Sequence, residues 1–153
     1  MATPEERIAE LGLTLPEVVP PVAAYQPAVR SGDHVYVSGQ LPFVDGKLPA
    51  TGKVGAEVDA DTAKDLAALC ALNAIAAVRA EVGELAHVVR IVKVGGFVAS
   101  TPDFTGQPGV INGASELLGS VFGEAGVHAR AAVGVAALPL DAPVEVDMIV
   151  EVR

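Results

Sequence analysis

The stretch from Asp59 to Gly83 leaves the chain little conformational choice. Asp59 or Asp61 is placed to cap a helix that runs to about Val82. Leu66, Leu69, Cys70, Ala74, Ala77 and Val78 recur on one broad apolar face, and Gly83 stops it. The flanking segments have a different period. Ala28–Val29 and His34–Ser38 read as two strands joined by a turn at Ser31-Gly32-Asp33, and Val88 to Val98 reads as a central strand with a bulge marked by Gly95-Gly96. Residues 45–55 read as a connecting loop.

A second long helix is expected from about Gly109 to Phe122, closed by Gly123. A strand-like run follows at 127–135, then a connection at 138–143 carrying two prolines. The last strand, Val144 to Val152, has Glu145 and Asp147 on one face. At the N-terminus, Thr3-Pro4-Glu5-Glu6 supplies a cap, a first-turn proline and a capping-box glutamate, so a short surface helix should reach about Leu11. Pro16, Pro20 and Pro21 then forbid regular structure. Strands, helix, strand, helix, two strands is an α+β order, and 153 residues suit one domain.

Composition narrows the function classes. Hydrophobic residues make up 51% of the chain and aromatic residues 4%, so the core must be built from Ala, Val, Leu and Ile. The mean hydropathy of +0.46 favours apolar surface buried between subunits as well as within one, hence a homo-oligomer. The longest nearly apolar run, Leu66 to Val78, is too short to span a bilayer, and the first residues lack a basic-then-apolar pattern. The expectation is a cytoplasmic protein without membrane contact. A net charge of −9 argues against sequence-independent nucleic-acid binding. The single cysteine, Cys70, reads as a small buried hydrophobe rather than a nucleophile. His34, His87 and His128 have no metal-ligand spacing, and the chain has no Walker loop or dinucleotide-binding glycine pattern, so neither metal nor organic cofactor is expected.

One residue resists a purely structural reading. Between Lys93 and Arg153 the only lysine or arginine is Arg130, set among alanines and valines at the start of the strand-like run. Burying a guanidinium there is costly unless an anion fills its planar fork, which a carboxylate does bidentately. That carboxylate is either Glu145 or Asp147 of the chain itself, or one brought by a ligand.

Three segments, in this order, resemble the RidA/YjgF family of small imine deaminases: Tyr25-Gln26 with Ser38-Gly39-Gln40-Leu41-Pro42; Val110-Ile111-Asn112; and His128-Ala129-Arg130 followed by Val144-Glu145-Val146-Asp147. The resemblance implies a chorismate-mutase-like α+β fold, with a mixed sheet and two helices packed on one face, assembled as a homotrimer with clefts between subunits. It assigns residues 23–153 to that domain and leaves residues 1–22 as an extension with a short helix.

It also implies roles: Arg130 binds a substrate carboxylate, Glu145 positions a water, Tyr25 lines the cleft, and Ser38, Gly39 and Asn112 lie near the site. Many members carry cysteine where this chain has Ala132, whose main chain could still contact ligand or water. The implied reaction is hydrolysis of 2-imino acids to 2-keto acids and ammonia. The alternative is a module of the same shape that binds keto acids without turnover. Endoribonuclease activity, attached to some relatives, fits poorly with an acidic chain lacking a histidine pair. A chorismate mutase would need further cationic donors, of which only Arg90 and Arg7 qualify.

Overall fold

The computed structural model describes residues 1–18 and 24–153; Pro20 and Pro21 lie outside the described residues. Its elements are α1 (Pro4–Glu10), β1 (Ala28–Ser31), β2 (His34–Gln40), α2 (Ala60–Val82), β3 (Val88–Ala99), α3 (Gln107–Phe122), β4 (Ala129–Val135) and β5 (Val144–Val152). The strands form one mixed sheet in the order β1-β2-β5-β3-β4. Only β3 and β4 run parallel, as a strand–helix–strand unit through α3 requires.

Local chemistry sets the element ends. Thr3 and Glu6 form a reciprocal capping box at α1. The Asp59 carboxylate accepts from the Thr62 amide at the start of α2, and Gly83, at φ 88°, caps its end. Helix α3 begins two residues earlier than the sequence pattern indicates. Pro108 sits in the first turn, where its missing N–H costs nothing. The register shifts of β3 against β5 fall between Val88 and Arg90 and between Ile91 and Lys93. Gly95-Gly96 is therefore no bulge but regular ladder, opposite Asp147 and Val146.

All three helices lie on one side of the sheet. Helix α2 covers β5, β2 and β1, α3 covers β3 and β4, and α1 packs against α3. Strand β5 records this sidedness: Val144, Val146, Met148, Val150 and Val152 are buried, and the residues between them are half-buried on the opposite, open face. The core is aliphatic, with Ile75, Leu85, Ile91, Ile111 and Leu118 its largest fully buried side chains. Truncating one, as in Leu118→Ala, is expected to cost about 2–5 kcal/mol by transfer and cavity effects. Cys70 is part of this core, and its Sγ lies 3.7 Å from the Val144 carbonyl oxygen. Burial first, and the Glu145 charge second, push its thiol well above the usual range, so it is inert at neutral pH.

Helices α2 and α3 meet at main-chain distance. A Cβ on Gly113 of α3 would overlap the Lys64 carbonyl of α2. At the other end of α3, Arg7 of α1 donates to the Val121 carbonyl at 3.2 Å, and Glu5 accepts from the Leu85 amide at 3.1 Å.

Candidate functional site

Arg130 is the second residue of β4 and projects from the helix side of the sheet. It is in register with Val94, which in turn pairs with buried Met148. Its guanidinium lies along α3. Nη1 donates to Ser115 Oγ at 3.1 Å and Nη2 to the Pro108 carbonyl at 3.2 Å. Pro108, Asn112 and Ser115 follow one another at helical spacings of four and three, so they form a single stripe facing the arginine, with Asn112 between the two anchors. Ala132, two residues along β4, shares Arg130's face and packs against the core.

The internal ion pair offered for Arg130 by the sequence does not form. Among the described residues the ion pairs are Lys53–Asp141, Lys64–Glu116 and Arg79–Glu5. Glu145 pairs in register with Phe97, and Asp147 with Gly95, both on the open face of the sheet. The β-sheet itself separates these carboxylates from the guanidinium, because alternate residues of a strand point to opposite faces. A guanidinium has five N–H donors, and the two contacts above account for two of them.

His128 extends the network. Its Nε2 lies 2.9 Å from Ser115 Oγ and its Nδ1 2.6 Å from the Gly126 carbonyl oxygen. Neither Ser115 nor His128 is assigned a role from the sequence, although His128 belongs to the family-like segment His128-Ala129-Arg130 and Ser115 follows Asn112 at helical spacing. Ser115 is one helical turn beyond Asn112, and His128 stands two residues before Arg130, just ahead of β4.

The open face carries the other candidates. The Glu145 carboxylate occupies the space a Cβ on Gly39 would need, so the glycine admits the acid. Burial, and then the neighbouring Asp147 charge, raise the Glu145 pKa above the ordinary carboxylate range. Burial also raises Asp147, opposed by the Gly95 amide and the Lys93 charge. Ser38 holds structure: its hydroxyl donates to the Gln26 carbonyl at 2.6 Å and its amide to Pro27 at 2.9 Å, clamping the segment that presents Tyr25. Tyr25 itself is 59% exposed.

Thus one chain brings Arg130, Asn112, Ala132, Ser115 and His128 to the helix side, and Gly39 and Glu145 together on the other. Arg7 and Arg90, the further cations a mutase would need, donate to the carbonyls of Val121 and Val127. Two concavities, about 350 and 220 Å³, lie beside Val18 along α2. Both are close in sequence to residues 19–23, outside the described ones. Among the described residues no group of three or more His, Cys, Asp or Glu side chains is placed to hold a metal ion, and no helix is long and apolar enough to cross a membrane.

Comparison with known proteins places this architecture. The family described as "YjgF/chorismate_mutase-like, putative endoribonuclease" matches residues 5–152. The chain belongs to this family, the RidA/YjgF family its motifs resemble. It is 46% identical to Protein TCP17 of Trypanosoma cruzi over 147 residues, 95% of this chain and 92% of that protein. The crystal structure of Atu1372 from Agrobacterium tumefaciens, of unknown function, superposes with a TM-score of 0.93 at 51% identity, covering 98% of this chain and 92% of that one. TdcF of E. coli, solved with bound serine, matches less closely, with a TM-score of 0.61 at 28% identity over 88% of this chain and 91% of that one. The chain thus follows the geometry of Atu1372 more closely than that of TdcF.

Proposed function

We propose that the protein hydrolyses 2-imino acids to 2-keto acids and ammonia in clefts between copies of a homotrimer. The observation that carries this reading is the state of Arg130: a half-buried guanidinium held by two neutral oxygens, without a carboxylate partner among the described residues. An α-carboxylate from a ligand would complete it through the remaining donors. The serine bound to TdcF is a molecule carrying such a carboxylate.

In this reading Arg130 fixes the substrate carboxylate, and Glu145 of a neighbouring copy accepts a proton from water as its oxygen attacks the imine carbon. The C=N π pair takes up a proton from solvent at nitrogen, giving the carbinolamine. Glu145 then returns its proton to that amine, the C–N bond breaks with release of ammonia, and the hydroxyl gives its proton to solvent as the carbonyl forms. A carboxylate with a raised pKa is a stronger base than an ordinary one, which suits Glu145 to this step. A second copy is needed because Glu145 lies across the sheet from Arg130. The open face, with Val29, Tyr36 and Val133 each about half exposed, offers the apolar surface for it.

A second reading has its own support. The anchor stands complete on one chain without the acid, as a keto-acid-binding module would require. The two separate on one experiment. A 2-imino acid is generated in place by an amino-acid oxidase in the presence of semicarbazide, which traps the imine. A deaminase diminishes the trapped adduct and speeds ammonia release, whereas a binding module leaves both rates unchanged. The nuclease named in the family description is disfavoured by the net charge of −9.

A further inference from the structure

The hydrogen bonds around Ser115 admit one arrangement in the neutral state. The Gly126 carbonyl can only accept, so His128 Nδ1, at 2.6 Å, carries the ring proton. Nε2 is then an acceptor, and the Ser115 hydroxyl, 2.9 Å away, donates to it. That hydroxyl has a single proton, so toward Arg130 it can only accept, as the 3.1 Å contact from Nη1 requires. The chain runs in one direction, Arg130 to Ser115 to His128 to the Gly126 carbonyl. Bonds of one sense polarise one another and lock each rotor.

We propose that Ser115 and His128 are positioning residues that fix the guanidinium plane of Arg130 for its ligand, a role that rests on the reading of Arg130 as the carboxylate anchor. The Pro108 carbonyl holds Nη2 alone, and one bond leaves the plane free to turn about it; the bond to Ser115 supplies the second point. Ser115 can serve because its own proton is occupied by His128. A hydroxyl without that acceptor would rotate among neighbours, and its lone pairs with it.

The test uses the full-length protein, with pyruvate as the carboxylate and nitrogen NMR of the Arg130 and His128 side chains as a readout independent of ligand. Ser115→Ala should weaken pyruvate by about 3- to 10-fold, the value of one modest hydrogen bond, and Ser115→Thr should stay within about 2-fold of wild type. The Ser115→Ala, His128→Ala double variant should bind no more weakly than the weaker single one, because both act through one chain. His128 should show the proton on Nδ1, and rotation of the Arg130 guanidinium should be slow in wild type and quickened by Ser115→Ala.

Losses that multiply in the double variant, or guanidinium rotation unchanged by Ser115→Ala, would overturn the proposal. So would a turnover loss above about 100-fold in Ser115→Ala with pyruvate binding intact, since Ser115 would then take part in the chemistry itself. If Arg130→Ala leaves pyruvate binding unchanged, the anchor reading fails, and the rotation measurement still decides whether Ser115 and His128 hold the arginine.

Discussion

Arg130 and Glu145 leave the same sheet from opposite faces, the first toward α3 and the second toward Gly39. Removing either one therefore does not orphan the other. This separates the effects of substitution cleanly.

Arg130→Ala should lower catalytic efficiency by roughly 10- to 100-fold, the value of a charge-assisted contact of about 1.5–3 kcal/mol, and leave stability nearly unchanged. Arg130→Lys should fall between the two, since an ammonium keeps the charge but loses the planar fork. Melting temperature and imine hydrolysis measured on the same two variants check this. A large stability loss with normal turnover per folded molecule would leave Arg130 a scaffold residue.

Glu145→Gln should slow imine hydrolysis by about 10²- to 10⁴-fold if the carboxylate is the general base. Its effect on stability has the opposite sign. A carboxylate whose pKa is raised by folding binds its proton more tightly in the folded state, so its favourable contribution is complete below the ordinary value of 4.5 and is lost as pH rises through the raised one. Glu145→Gln should therefore match or exceed wild-type melting temperature at pH 7, with that advantage vanishing near pH 4. A variant less stable than wild type at pH 7 would contradict the burial account.

Sedimentation equilibrium should give about three times 15.5 kDa. Val133→Asp, which places a charge on the exposed apolar part of the open face, should shift the protein toward monomer and remove activity while its far-ultraviolet circular dichroism persists. A wild-type monomer at micromolar concentration would eliminate the shared cleft.

Ala132→Cys should change imine hydrolysis by less than about threefold if any ligand contact at this position comes from the main chain. Ala132 lies on Arg130's face and packs against the core, where a thiol adds little volume. A gain above tenfold would show that the thiol itself assists the reaction.

Much of this architecture was legible in the residues. The caps at Thr3 and Asp59, the stop at Gly83 and the alternation of Val144 to Val152 are local signals, and they set the elements where expected. Gly95-Gly96 misled, because a glycine pair can serve a bulge or make room for a neighbour. Here Gly95 makes room for the Asp147 side chain, a cross-strand contact that no local pattern reveals. The candidate site was half legible. Arg130 stood out by its isolation, but whether it met Glu145 or Asp147 depended on which face each strand presents, and that follows from register. Ser115 and His128 were hidden because a serine within a helix and a histidine before a strand are ordinary until their contact is known.

The overlap that a side chain at Gly113 would make with the Lys64 carbonyl has a mechanical consequence. Where a helix is seated on another helix's backbone, its roll is restricted, because a main-chain carbonyl yields less than the far end of a flexible side chain. The row formed by Pro108, Asn112 and Ser115 is therefore indexed against α2 as a rack is against its rail, and the berth of the Arg130 guanidinium inherits that alignment. Widening the contact by one methyl group, as in Gly113→Ala, would turn or lift the whole row, so a substitution that adds no polar atom would detune its polar groups all together.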